Sequence, residues 1–408
     1  MKPRINHPLG RTLAAMLLAA MFAAADWPQF RGPGGQGHVA DKGYPLDWSE
    51  TENVTWKTAI EGLGWSSPVV QGNQIWLTTA ADENHSLRAV CIDRTSGKIV
   101  HDVEVFHKDE PGKIHSKNSH ASPTPVLEAD RVYVHFGAHG TACLSTDGRV
   151  IWRNDELKYN HRHGPAGSPV VYRDLLIISC DGTDVQFVVA LDKHTGKIRW
   201  KTSREGKMAY STPLIVNVQG HDELISTGAD QAMAYEPLTG KEIWRVRYDG
   251  YSEVPRPVVS HGLVFLCTGY DTPGLYAVRL GGKGDVTDTH VVWTMKKGAP
   301  LNPSPVAIDD MLFMVNDKGI ATCVEAETGK EIWQERIGGN FSASPVYADG
   351  RIYFLNEEGR TTVVAPERTY RQLATNQVDG RTLASPAFVD GVIFLRTDTH
   401  LYRIEERK

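Results

Sequence analysis

A short motif ending in proline and an apolar residue recurs eight times along this chain. The copies are Ser67-Pro68-Val69, Thr124-Pro125-Val126, Ser168-Pro169-Val170, Thr212-Pro213-Leu214, Arg256-Pro257-Val258, Ser304-Pro305-Val306, Ser344-Pro345-Val346 and Ser385-Pro386-Ala387. Successive prolines stand 57, 44, 44, 44, 48, 40 and 41 residues apart. A period in the forties with no 3.6-residue apolar pattern indicates one four-stranded blade per repeat. The unit from 168 shows the parts: "SPVVYRD", the apolar run "LLIISC", the loop "DGTDVQ", the strand "FVVALD", the turn "KHTGK" and the strand "IRWKTS". These runs are short, β-branched and bounded by turn residues. The fold class is therefore all-β, an eight-bladed β-propeller of four-stranded antiparallel blades. A period this regular also explains how 408 residues can form one ring.

The hairpin between third and fourth strands carries fixed spacings. Ala190, Asp192, Gly196 and Trp200 are repeated by Ala234, Glu236, Gly240 and Trp244, and by Cys323, Glu325, Gly329 and Trp333. The first unit has Cys91, Asp93 and Gly97, with His101 in the tryptophan's place, and Trp152 and Trp293 end variant copies. An indole on the outer strand can lie in the crevice against the next blade, where only glycine and a small residue leave room. Burying such a ring removes roughly 150–250 Å² from water, worth about 4–6 kcal/mol at most. The acids read as structural acceptors of backbone or indole N–H groups.

The two ends are expected to meet. After Pro386 the sequence holds only three strands, whereas "NVTWKTAI" (53–60) precedes the first motif and carries Trp56 like an outer strand without partners. Completing the last blade with it removes two open sheet edges. The predicted blades are 61–107, 108–158, 159–206, 207–250, 251–298, 299–338, 339–379, and 380–408 with 53–60. Residues 53–408 then form the propeller and 26–52 an N-terminal arm. Residues 1–25 read as a signal peptide: Lys2, Arg4 and Arg11 precede the apolar stretch Leu13 to Ala25, which ends in Ala23-Ala24-Ala25. That points to an exported protein, soluble in a periplasmic or extracellular space, with no membrane span. Losing the three basic residues moves the formal charge from −5 to −8, which disfavours nucleic acid as a partner. The five scattered cysteines read as buried free thiols, and the chain is expected to be a monomer.

In such a ring the stretches before each first strand converge on one mouth of the central channel, flanked by the second-to-third loops. Read blade by blade, they give a candidate ligand-binding funnel. It comprises Trp65, Lys117, Asn118, His120, His139, His161, His163, Asp181, Asp184, Tyr210, Arg256, Asp271, Asn302, Asn340, Phe341, Arg381, Asp398 and His400. The insert 107–123 accounts for the one spacing of 57. His120, His161, His163, Asp181 and Asp184 are the candidate metal ligands, with His139 as a further partner. Solvated or hydrogen-bonded loop histidines are the alternative reading.

The hairpin resembles the tryptophan-docking motif of the pyrroloquinoline-quinone (PQQ) propeller repeats, and the resemblance covers essentially 53–408. That family holds eight-bladed quinoprotein dehydrogenases and non-enzymatic relatives, including the lipoprotein of the outer-membrane protein assembly machine. "DWPQFRGPGGQG", "IHSKNSHASPTPV" and "NDELKYNHRHGP" are similar to an exported planctomycete-type subgroup. The resemblance implies PQQ with Ca2+, or another divalent metal, as candidate cofactors. The adjacent cysteine pair and haem domain of some quinoproteins are missing. The favoured reading is an exported binding scaffold taking a partner protein, glycan or small ligand. A PQQ-dependent dehydrogenase-like oxidoreductase and a polysaccharide hydrolase or lyase are the alternatives.

Overall fold

In the computed structural model, which describes residues 26–407, each motif proline leads directly into a short first strand. Proline has no N–H to offer a ladder, so it sits just ahead of the paired residues. Pairing then follows chain order, as in Val170–Tyr172, Leu175–Asp181, Gln186–Asp192 and Ile198–Ser203 of the third blade. Eight such sheets are present, all antiparallel within the blade. Middle strands are buried on both faces between neighbouring blades, so Leu175–Asp181 reads as a continuous apolar run. The outer strand Ile198–Ser203 alternates between exposed and half-buried positions. The leader expected at 1–25 lies outside the described residues.

The ring closes as the strand count demands. Val54–Ala59 pairs antiparallel with His400–Ile404, with Val54 opposite Ile404 and Ala59 opposite His400. It is the outer strand of the sheet formed by the last three strands of the chain. One sheet departs from the four-stranded pattern. The lengthened turn of the fifth blade sends Gly284–Asp285 to pair in parallel with the fourth blade's outer strand, Glu242–Arg247.

The outer-strand aromatics dock as the spacing suggested. A Cβ on Gly97, Gly196, Gly240 or Gly329 would fall 2.4–2.7 Å from Trp56, Trp152, Trp200 or Trp293 of the preceding blade. His101 takes the same place over Gly148. The indole N–H groups do not go to the acids. Trp56, Trp152, Trp200 and Trp293 donate to the backbone carbonyls of Arg94, Lys193, Pro237 and Ala326, each three residues before the glycine. The acids instead organise their own turns, as when Asp192 accepts from the N–H groups of His194 and Thr195. Where the seventh blade lacks the glycine, Trp333 packs edge-on against Tyr370, with centroids 5.3 Å apart. Trp244 differs: its N–H goes to the Glu223 carboxylate and it is 1% exposed.

The arm closes one end of the channel. Trp27 exchanges two backbone hydrogen bonds with Val70, and Pro28 accepts from Leu127 N–H. Gln36 accepts from Val259 N–H, and Gly37 accepts from Tyr347 N–H. The partners lie in the innermost strands of blades 1, 2, 5 and 7, past their motif prolines. Trp27, Tyr44 and Trp48 join the core formed by blades 7, 8 and 1.

Candidate functional site

The motif residue before each proline explains why it is so often Ser or Thr. Ser67 N–H donates to Thr124 Oγ1, Thr124 N–H to Ser168 Oγ, and Ser168 N–H to Thr212 Oγ1. On the other side, Arg256, Ser304 and Ser344 donate their N–H groups to Ser304, Ser344 and Ser385 Oγ. The hydroxyls therefore form a crown around the channel, and six of the eight blade junctions are stitched by a bond of 2.9–3.0 Å. At the fifth position Arg256 replaces a hydroxyl, and its guanidinium reaches the carbonyls of Pro213 and Phe30.

Above the crown opens a cavity of about 660 Å³. Phe30, from the arm, lines it together with six crown hydroxyls, those of Ser67, Thr124, Ser168, Thr212, Ser344 and Ser385. Its walls carry Trp65, Tyr210, Tyr251, Tyr270, His115 and His163. Lys117, Asn118, Asn302 and Asp317 supply the polar groups. Lys117 pairs with Glu357 at 2.8 Å, and Ser342 also donates to that carboxylate. Asp317 accepts from Leu301 N–H and from the Asn302 amide. Burial pushes its carboxyl above the usual range, against these bonds.

Of the funnel residues named from sequence, Trp65, Lys117, Asn118, His163, Tyr210 and Asn302 line this one cavity. Arg381 sits at its rim, its guanidinium 5.7 Å from the Trp65 ring and bonded to Ser116 O. The rest do not line it. His120, His139 and His161 meet edge to face outside the cavity lining, with ring centroids 5.0 and 5.4 Å apart. Asp181 is buried in a two-pronged ion pair with Arg204. Asp184 accepts from the N–H groups of Asn160 and Val185. Arg256 is buried at the arm. Asp271 and Asn340 are exposed, and Phe341 is buried in the core of blades 6 and 7. Asp398 caps the Arg381 N–H, and His400 bonds Thr399.

The buried and half-buried histidines are held neutral. Desolvation first, then neighbouring imidazoles, lower His135 and His139 to about 3. His161 falls to about 4 through burial and the nearby His120. His120 Nε2–H donates to Gly112 O at 3.3 Å, leaving Nδ1 to accept from His139 Nε2–H at 3.1 Å. Both nitrogens of His120 are therefore occupied by protein partners.

A family model for the outer membrane protein assembly factor BamB matches residues 39–187, 186–285 and 279–407. The chain belongs to this BamB family. No curated protein sequence matches it. Among solved structures, BamB from Moraxella catarrhalis aligns with a TM-score of 0.62 at 12% identity, over 87% of this chain and 97% of that one. Quinohemoprotein alcohol dehydrogenase from Comamonas testosteroni aligns at 0.69 and 10% identity, over 96% and 82%. A computationally designed protein, Ika8, aligns at 0.60 and 11% identity, over 85% and 98%. At these identities the likeness is one of fold.

The quinoprotein likeness makes calcium and PQQ the groups to test against this BamB-family cavity. Its side-chain oxygens do not fit a calcium ion. Calcium takes about six to eight oxygens, whereas Asp317 is the one carboxylate in the lining and both its oxygens already accept hydrogen bonds, from Leu301 N–H and the Asn302 amide. No group of three or more His, Cys, Asp or Glu among the described residues is arranged to hold a metal. All five cysteines are buried and unpaired. Tyr251, Tyr270 and Asp317 were missed in the sequence although they lie in the predicted loop classes. Phe30 and the crown carried no such signal, because the arm's path and the inter-blade bonds are tertiary.

Proposed function

We propose that this chain is an exported binding scaffold whose cavity takes a small ligand or the end of a glycan. One observation carries the reading: the cavity is closed below by the arm, walled by aromatic rings and floored by hydroxyls. A volume of about 660 Å³ lies in the range of sites that bury a small molecule. Tyr and Trp supply apolar faces with polar edges, and a sugar ring presents both C–H faces and hydroxyls to match. Trp65 Nε1 is buried without a hydrogen-bond partner, a donor that a ligand oxygen can use. Export rests on the leader-like sequence before residue 26. The rim suits a partner protein as a second occupant, and the BamB membership supports that.

The test is a titration of the chain lacking residues 1–25 with mono- and oligosaccharides, and with PQQ plus calcium, followed by tryptophan emission and melting temperature. Trp65→Ala and Tyr210→Ala should each weaken the response at least tenfold while the far-ultraviolet dichroism is retained. If bound compounds are indifferent to both substitutions, or nothing in the series alters emission, the cavity is not the site.

A further inference from the structure

We propose that the cavity floor is a subsite for an oxyanion, a carboxylate, sulfate or phosphate group, held by the O–H donors of the crown. The inference rests on the ligand-binding reading of the cavity and specifies the chemistry at its base.

The first ground is donor accounting. Thr124, Ser168, Thr212, Ser304, Ser344 and Ser385 each accept a backbone N–H from the preceding blade. Their O–H hydrogens have no acceptor among the described residues. Ser67 Oγ neither donates nor accepts. All seven residues are at most 5% exposed, and six of the hydroxyls border the cavity. An oxygen that accepts an N–H is polarised into a better O–H donor. The floor is thus a ring of donors that converge on one space from different blades, with no carboxylate in the ring.

The second ground is charge. Arg256 occupies the crown's fifth position, and Arg31 follows Phe30 in the arm. They are 3% and 1% exposed, and no carboxylate lies within ion-pair distance of either among the described residues. Arg31 Nε and Nη1 are buried without a hydrogen-bond partner. Buried cations without a counter-charge are costly, so their field favours an anion at the channel axis over a neutral oxygen. The acids nearest the floor do not offset it. Glu357 is neutralised by Lys117, and burial raises the Asp317 carboxyl above its usual range, which favours its uncharged form.

The experiment titrates the chain with glucuronate, glucose and sodium sulfate at constant ionic strength, made up with chloride, and reads calorimetry and melting temperature. Glucuronate binding at least tenfold tighter than glucose supports a ligand-borne carboxylate at the floor. A melting shift with sulfate alone supports a free oxyanion there. Ser67→Ala should weaken either oxyanion about tenfold with the unliganded melting temperature unchanged, because that hydroxyl makes no bond in the fold. Arg256→Gln should weaken it further; if that variant does not fold, Ser67→Ala still decides. Glucose and glucuronate binding equally, with no response to sulfate, overturns the oxyanion floor and leaves the ligand cavity standing. Oxyanion binding that Ser67→Ala leaves intact overturns it too. No binding by any of the three overturns the floor, and the saccharide titration decides separately whether the cavity falls with it.

Discussion

Substituting both members of one docking pair, Trp200 and Gly240, tests how blades hold one another. A Cβ on Gly240 would fall 2.4 Å from Trp200 Cε3 and 2.7 Å from Cδ2, and the residue's φ is +69°. Gly240→Ala therefore carries two costs. The left-handed backbone costs an alanine about 1–2 kcal/mol, and displacing a packed indole costs about 1–3 kcal/mol. Trp200→Ala loses the half-buried ring and its 3.0 Å bond to Pro237 O, about 3 kcal/mol. In the double variant the indole is gone, so the alanine keeps its backbone cost and its 2.7 Å approach to Thr202 Oγ1 but no longer displaces the ring. The two changes should fall short of additivity by about 1–3 kcal/mol. Urea unfolding of the four proteins measures this, provided the slope of free energy against urea is shared. Additivity within about 0.5 kcal/mol, or a Gly240→Ala protein as stable as the parent, would refute the docking account.

Other outcomes follow from buried charge. Glu253 is buried, neither of its carboxyl oxygens has a hydrogen-bond partner, and desolvation raises it from 4.5 to about 8. The folded state then binds the extra proton between those values, so stability falls as pH rises from 4.5 to about 8, by up to about 5 kcal/mol. Glu253→Gln should match the parent at pH 4 and exceed it at pH 9 in melting temperature; equal stability at both values contradicts the assignment. The lowered histidines act in the opposite sense. With His135 and His139 near 3 instead of 6.5, stability is full above 6.5 and drains as pH falls toward 3. His135→Gln should flatten that acid limb, and an unchanged slope would show that the imidazole does not titrate with unfolding. Trp27→Ala removes a ring that is 1% exposed and ties the arm to the first blade, so it should cost about 3–5 kcal/mol in urea unfolding.

The architecture was legible because a propeller repeats its instructions. The motif spacing, the strand missing from the last blade and the glycine opposite each indole are all local or periodic features, and Val54–Ala59 completes the last sheet as that count requires. The acids were legible only as acceptors of either backbone or indole N–H groups, and the backbone supplies the donors because each acid lies on the hairpin carrying its own tryptophan. The ring reaches across to the next blade's carbonyl instead, as Trp152 does to Lys193 O. The funnel was legible only as a class of loops. Trp65, His163 and Tyr210 face the cavity, whereas Asp181 turns inward to Arg204, a partner that follows directly on the outer strand of the same blade.

The sequence alone determined how many blades there are, where each begins and how the ends join, since a period and its defects are written along the chain. Tertiary structure alone decided which polar groups still have hydrogen bonds to offer. The serines before the prolines look alike along the sequence, and only the ring shows that the oxygens of Ser168 and Ser344 receive the neighbouring blade's N–H, leaving their hydrogens for something else. Only the fold, too, sends Phe30 and Arg31 into the channel, because bonds between residues more than 200 positions apart hold them there.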